Sequence, residues 1–159
     1  MCGILGFALD KNNISQETFS DALEMLNHRG PDHTGISFNK DLKIAMGHKR
    51  LAIIDLSIKG AQPMSDSSEK IQIIFNGEIY NYLELKQQLS DYRFTTSSDT
   101  EVLMAAFCKW GIDCVKLLEG MFAFAIWDNQ QQNLFLARDR MGIKPLYYAS
   151  TKEGFYFAS

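Results

Sequence analysis

The sequence predicts an α+β fold. Short apolar, β-branched or aromatic runs outnumber stretches with a 3.6-residue period. They come in successive groups rather than in strict strand–helix alternation. The composition, 46% hydrophobic and 22% charged over 159 residues, is that of one globular domain with a full core. Helices stacked on mostly antiparallel sheet satisfy all three observations.

Taken in order, residues 2–9 (CGILGFAL) read as a buried strand ended by the turn-prone Asp10–Asn13. Ser15 caps a helix with Glu17 in its first turn; Phe19, Ala22, Leu23 and Leu26 share a face, and Gly30–Pro31 stop it. Residues 43–47 and 50–54 read as short strands, and 57–69 as a polar, Gly/Pro-marked loop. IQIIF at 71–75 is a continuous β-branched run that suits a strand buried on both faces. Residues 81–89 read as a short helix. Ser98-Asp99-Thr100-Glu101 has the form of a capping box ahead of the helix VLMAAFCKW. Apolar stretches at 121–127, 134–137, 146–149 and FYF at 155–157 complete the strands.

The bulk numbers narrow the function. A net charge of −3 and a pI near 5.6 give no electrostatic argument for nucleic acid or an anionic membrane. Three cysteines without a C-x-x-C pair argue against a disulfide framework or zinc site and fit a reducing cytoplasm. There is no signal-peptide pattern and no apolar run near the ~20 residues of a membrane span. His28, His33 and His48 lack metal-site spacing, and no Gly-rich phosphate loop occurs. Cys108 and Cys114 flank Trp110-Gly111 as core or spacer positions.

Four places carry candidate chemistry. Cys2 reads as a small core hydrophobe or, once Met1 is removed, as a residue holding a thiol nucleophile and a free α-amine. An α-amino group titrates near 7.7–8.0, so it can take and return a proton at neutral pH. Asn76-Gly77, directly after the apolar run, reads equally as a hairpin turn or as a pair of oxyanion donors. Arg50 is either a solvated cation or a bidentate clamp for a carboxylate. Asp99 is either a helix N-terminal residue or the partner of a substrate ammonium. Together Arg50 and Asp99 would bracket a free amino acid.

These pieces sit within an ordered series: MCGILGF, HRGPDHTGI (28–36), GHKRLAIIDLS (47–57), GAQPM (60–64), FNGEIYNY (75–82), SSDTEVL (97–103), LEGMFAFAIWD (118–128) and LFLARDRMGIKPLYY (134–148). The whole chain resembles the glutaminase domain of class II glutamine amidotransferases, in the glutamine-hydrolysing asparagine synthetase branch. The resemblance implies an N-terminal nucleophile (Ntn) hydrolase fold, a four-layer α/β/β/α sandwich of two mainly antiparallel sheets. It implies Cys2 as nucleophile with its own amine as base, and Asn76 and Gly77 as the oxyanion hole. It further implies Arg50, Leu51, Ile53, Ile54, Glu78 and Asp99, with Asn76 and Gly77, as the glutamine site, and the 28–33 stretch as a nearby loop.

The expected reaction is hydrolysis of L-glutamine to glutamate and ammonia through a Cys2 thioester, in the cytoplasm and without a cofactor in this chain. ATP and Mg are expected only for a synthetase domain, which the family carries downstream with an S-G-G-x-D-S loop. This sequence has no such loop, so residues 1–159 read as a glutamine amidotransferase type-2 domain truncated at its C-terminal end. The expected partners are glutamine and that synthetase domain, with a homodimer allowed and no nucleic acid or membrane. A regulatory or assembly domain of the same fold, and an amidotransferase with a non-aspartate acceptor, are the alternatives.

Overall fold

The computed structural model describes residues 1–10, 14–41 and 43–159. Among these are strands β1 (Gly3–Leu9), β2 (His33–Asn39), β3 (Ile44–Arg50), β4 (Met64–Ser65), β5 (Ile71–Ile79), β6 (Gly120–Asp128), β7 (Asn133–Arg138), β8 (Tyr147–Ser150) and β9 (Gly154–Ala158). The helices are α1 (Gln16–Glu24), α2 (Tyr82–Gln88) and α3 (Asp99–Trp110). The expected turn at Asp10–Asn13 lies, beyond Asp10, outside the described residues.

The strands form two antiparallel sheets, ordered β2-β3-β1-β9-β8 and β4-β5-β6-β7. Strand alternation makes the layers. In β1, Phe7 and Leu9 face outward with Ala45 of β3 and take Phe19 of α1; Phe7 and Phe19 meet edge-on at 5.4 Å. Ile4 points the other way, into a core shared by Met46, Phe157, Ile74 and Trp127 from both sheets. The outer face of the second sheet, through Ile73, Phe75, Phe124 and Ile126, packs on Leu85, Val102 and Met104 of α2 and α3. The result is the α/β/β/α sandwich, all three interfaces being apolar.

Several elements differ from the sequence reading. α1 has the Ser15 cap, whose hydroxyl accepts from the Thr18 amide, but ends at Glu24 rather than running to Gly30–Pro31. Its bonds tighten to i→i−3 at Leu26 and Arg29, and a 3₁₀ turn spans Asn27–Arg29. Ala22 is exposed, so Phe19 and Leu23 form the buried face, each worth about 1.5–3 kcal/mol. β2, half-buried at a sheet edge and mixed in polarity, was not anticipated. Residues 51–54 are not a strand: β3 stops at Arg50, and the Ala52 amide donates to Asp32 (2.8 Å) instead of to a ladder. The 57–69 loop contains a 3₁₀ turn, Ile58–Gly60, and the short β4.

The Asn76-Gly77 hairpin is overturned. β5 runs straight through both residues, pairing Asn76 with Ala123 and Gly77 with Phe122. The capping box at α3 is half correct. Ser98 accepts from the Thr100 amide (3.1 Å), but Glu101 turns to the amides and hydroxyls of Thr95 and Thr96. The Ser98 amide is taken by Thr96 Oγ1 at 3.1 Å instead.

Candidate active site

One cavity of about 320 Å³ opens at the end of the sandwich where β1 begins and β3 ends. Cys2, Arg50, Leu51, Ile53, Ile54, Asn76, Gly77, Glu78 and Asp99, all singled out in the sequence, line it together. Strand periodicity explains part of this. Cys2 has the parity of Ile4, Arg50 that of Met46, and Asn76 that of Ile74, so all three lie on the faces that look between the sheets.

The start of β1 is tied down. Ile4 and Ser159 exchange both backbone hydrogen bonds, at 3.2 and 2.9 Å, and β3 flanks the strand's other side. Cys2 Sγ accepts from the Leu51 amide at 3.4 Å and lies 3.6 Å from the Leu51 carbonyl oxygen. Burial pushes the thiol's pKa up; the Leu51 amide, the terminal ammonium and Arg50 act against that. The carboxylate of Asp32, within the 28–33 stretch, fixes Ala52 and so the segment around Leu51.

Asn76 is fully buried, and its Nδ2 donates one proton to Ser159 Oγ at 2.8 Å. The second Nδ2 proton is not used by that bond. Gly77 is aimed by ladder alternation. Phe122, its partner, gives its amide to Asp139 Oδ2 (3.2 Å) and receives the Asp139 amide (2.8 Å), on the side away from β5. Gly77 and Phe122 are thus a non-hydrogen-bonded pair, and the Gly77 N–H points away from β6 toward the cavity. A Cβ at Gly77 would strike the Met121 carbonyl and Phe122 Cα, so only glycine fits.

Arg50 is nearly buried; its guanidinium donates to the carbonyls of Ser57 (2.7 Å) and Asp55, leaving further N–H groups of the fork. Asp55 in turn accepts from Ser57 and Ser97, which holds its carboxyl down to about 2 and binds the loop to the start of α3. Asp99, first residue of α3, accepts the Ile79 amide at 3.0 Å. Burial, with the Glu78 charge adding, pushes its pKa up to about 6.

Sequence reasoning missed Lys144, which also lines the cavity, 3% exposed, with Nζ 2.6 Å from Met1 Sδ. Burial lowers its pKa, with Arg29 adding. A lysine inside the otherwise apolar GIKPLYY run was the available signal. Gln62 and Thr100 of the cavity wall were missed as well. Among the described residues, no cluster of His, Cys, Asp or Glu is arranged to hold a metal ion, and no helix is long and apolar enough to cross a membrane.

The chain is similar to several known proteins. A family model described as a glutamine amidotransferase domain matches residues 1–159. The chain is 43% identical to asparagine synthetase [glutamine-hydrolyzing] 1 of Bacillus subtilis, over 100% of its own length and 26% of that protein's. It is 41% identical to putative asparagine synthetase [glutamine-hydrolyzing] 2 of Methanocaldococcus jannaschii, over 100% of its length and 34% of the relative's. The chain therefore spans about a quarter to a third of the curated relatives it matches. Its fold is similar to that of glutamine phosphoribosylpyrophosphate amidotransferase from B. subtilis, with a TM-score of 0.80 over 99% of this chain and 41% of the other, at 23% identity.

Proposed function

Given that the chain belongs to the glutamine amidotransferase domain family, in its asparagine synthetase branch, we propose that it hydrolyses the side-chain amide of L-glutamine through a thioester on Cys2. The observation that carries this reading is the single cavity that joins a nearly terminal thiol, two unspent N–H donors and an acid–base pair for an amino acid's two ends.

Removal of Met1 leaves Cys2 with a free α-amine, which takes the thiol proton. The thiolate attacks the amide carbon, forming a C–S bond, and the carbonyl becomes an oxyanion. Asn76 Nδ2 and the Gly77 N–H hold that oxyanion, donors of a kind worth roughly 3–4 kcal/mol each in the transition state. The terminal ammonium returns its proton as the C–N bond breaks and ammonia leaves. Water then adds to the thioester, the C–S bond breaks, and glutamate departs with the thiol restored. Arg50 takes the substrate α-carboxylate. Asp99 and Glu78 take the α-ammonium, and the 51–54 segment lines the pocket.

The two termini of a free amino acid thus meet opposite charges across the cavity, and a cation bound at Asp99 would offset the cost of ionising that buried carboxyl. The ammonia passes to an ATP-dependent synthetase-type domain, which the greater length of the relatives supports; ATP and Mg serve that domain. The reading places the protein in the cytoplasm. Glutamate release from glutamine by the chain lacking Met1, and its loss in Cys2→Ala, tests the proposal. A Met1-free chain that releases no glutamate would favour a regulatory or assembly role.

A further inference from the structure

β5 loses its neighbour early. β4 pairs only with Ile73 and Gln72, so among the described residues no strand lies beside that edge of β5 from Phe75 to Ile79. Side chains take over. The Phe75 amide donates to Gln62 Oε1 at 2.6 Å, and the Phe75 carbonyl meets His48 Nε2 at 3.2 Å. A carbonyl only accepts, so His48 carries its proton on Nε2. Gln62 is braced in turn, its Nε2 donating to Thr100 Oγ1 at 3.0 Å, one residue from the Asp99 that holds the Ile79 amide. Gly77 lies midway between these two anchored residues, its N–H turned to the same edge.

We propose that Gln62 and His48 are positioning residues: they clamp both peptide groups of Phe75 and so fix where the Gly77 N–H stands on the cavity wall. A longer β4 would satisfy Phe75 equally well, but continued along the edge it would also cover the Gly77 N–H. Two side chains in place of a strand hold the backbone and leave that donor open. His48 is kept at a cost. It is fully buried, and its Nδ1 has no partner among the described residues, which an apolar residue of similar size would avoid. Burial holds its pKa near 3, so it donates as a neutral ring across the working range. Gly35, paired with His48 in the β2–β3 ladder, lets the Gln62 backbone lie directly on it; a Cβ there would strike the Gln62 carbonyl.

The catalytic consequence rests on the glutamine reading; the clamp itself does not, and the test separates them. Gln62→Met and His48→Leu remove the clamp, and His48→Gln restores an N–H donor. All are made in the full chain with Met1 removal verified by mass. Steady-state glutamate release, alkylation of Cys2 by iodoacetamide, and deuterium uptake of peptides covering residues 74–79 are measured. The expected result is a fall in kcat of about ten- to a hundred-fold with KM nearly unchanged, since an oxyanion donor acts in the transition state. Alkylation stays at the parent rate, uptake rises in 74–79 alone, and His48→Gln recovers most of kcat. Should His48→Leu fail to fold, Gln62→Met decides. Unchanged uptake in 74–79 overturns the clamp. Raised uptake with unchanged kcat overturns its catalytic role, and so does a joint fall of kcat, alkylation and thermal stability. A parent chain that releases no glutamate defeats the glutamine reading alone, and uptake still decides the clamp.

Discussion

Cys2 Sγ sits against both backbone polar groups of one residue, 3.4 Å from the Leu51 amide and 3.6 Å from its carbonyl oxygen. No histidine or carboxylate side chain makes a hydrogen bond to the thiol among the described residues. In the proposed mechanism its proton goes to the chain's own α-amine, which is what makes Met1 decisive. A chain whose Met1 is retained should alkylate at Cys2 yet release glutamate at least a hundred-fold more slowly than the processed chain, a comparison read by intact mass and steady-state assay.

Asp99 gives the fold a pH signature. Its carboxyl titrates near 6 in the folded chain against 3.8 unfolded, so the folded state binds the extra proton. The stability it contributes is fully present below about 3.8 and is lost as pH rises through about 6. The window is worth at most about 3 kcal/mol, at roughly 1.4 kcal/mol per unit. Asp99→Asn keeps an oxygen for the Ile79 amide and should flatten the decline in urea midpoint between pH 4 and 7. The same change should raise KM for glutamine, because the substrate ammonium loses its counter-charge.

Gly77→Ala tests the aim of the second donor. The new methyl meets backbone at Met121 and Phe122, which cannot swing aside. A loss of about 1–3 kcal/mol in denaturant unfolding and a fall in kcat of ten-fold or more are expected. Full activity in this variant would remove Gly77 from the oxyanion site.

Arg50→Lys keeps the charge and loses the fork that spans the Ser57 and Asp55 carbonyls. KM for glutamine should rise about ten- to a hundred-fold with kcat less affected, the pattern of lost ground-state binding. An unchanged KM would detach Arg50 from the substrate carboxylate.

Much of the fold was legible because its signals were local. The apolar runs at 2–9, 71–75 and 121–127 each became a buried strand, and Ser15 and Ser98 cap the helices they precede. What failed was decided by partners far along the chain. Asn76-Gly77 is a strong turn signal in isolation, but pairing with β6 draws it into a strand. Residues 51–54 are apolar enough for a strand, but Asp32 takes the ladder proton. Glu101 has capping spacing, but the amides and hydroxyls of Thr95 and Thr96 take its carboxylate instead. The residues proposed for the site were picked out through motif order, and they line one cavity. Gln62, His48 and Lys144 were passed over because their roles depend on an open sheet edge and a cavity wall, which sequence spacing does not encode.

The most direct test of the account is intact-mass analysis of the Met1-free chain, acid-quenched during turnover of glutamine. The account predicts a population heavier by one glutamyl group, localised to Cys2 by peptide mapping and absent from Cys2→Ala. Sustained glutamate release with no adduct on Cys2, or release that survives Cys2→Ala, would contradict it.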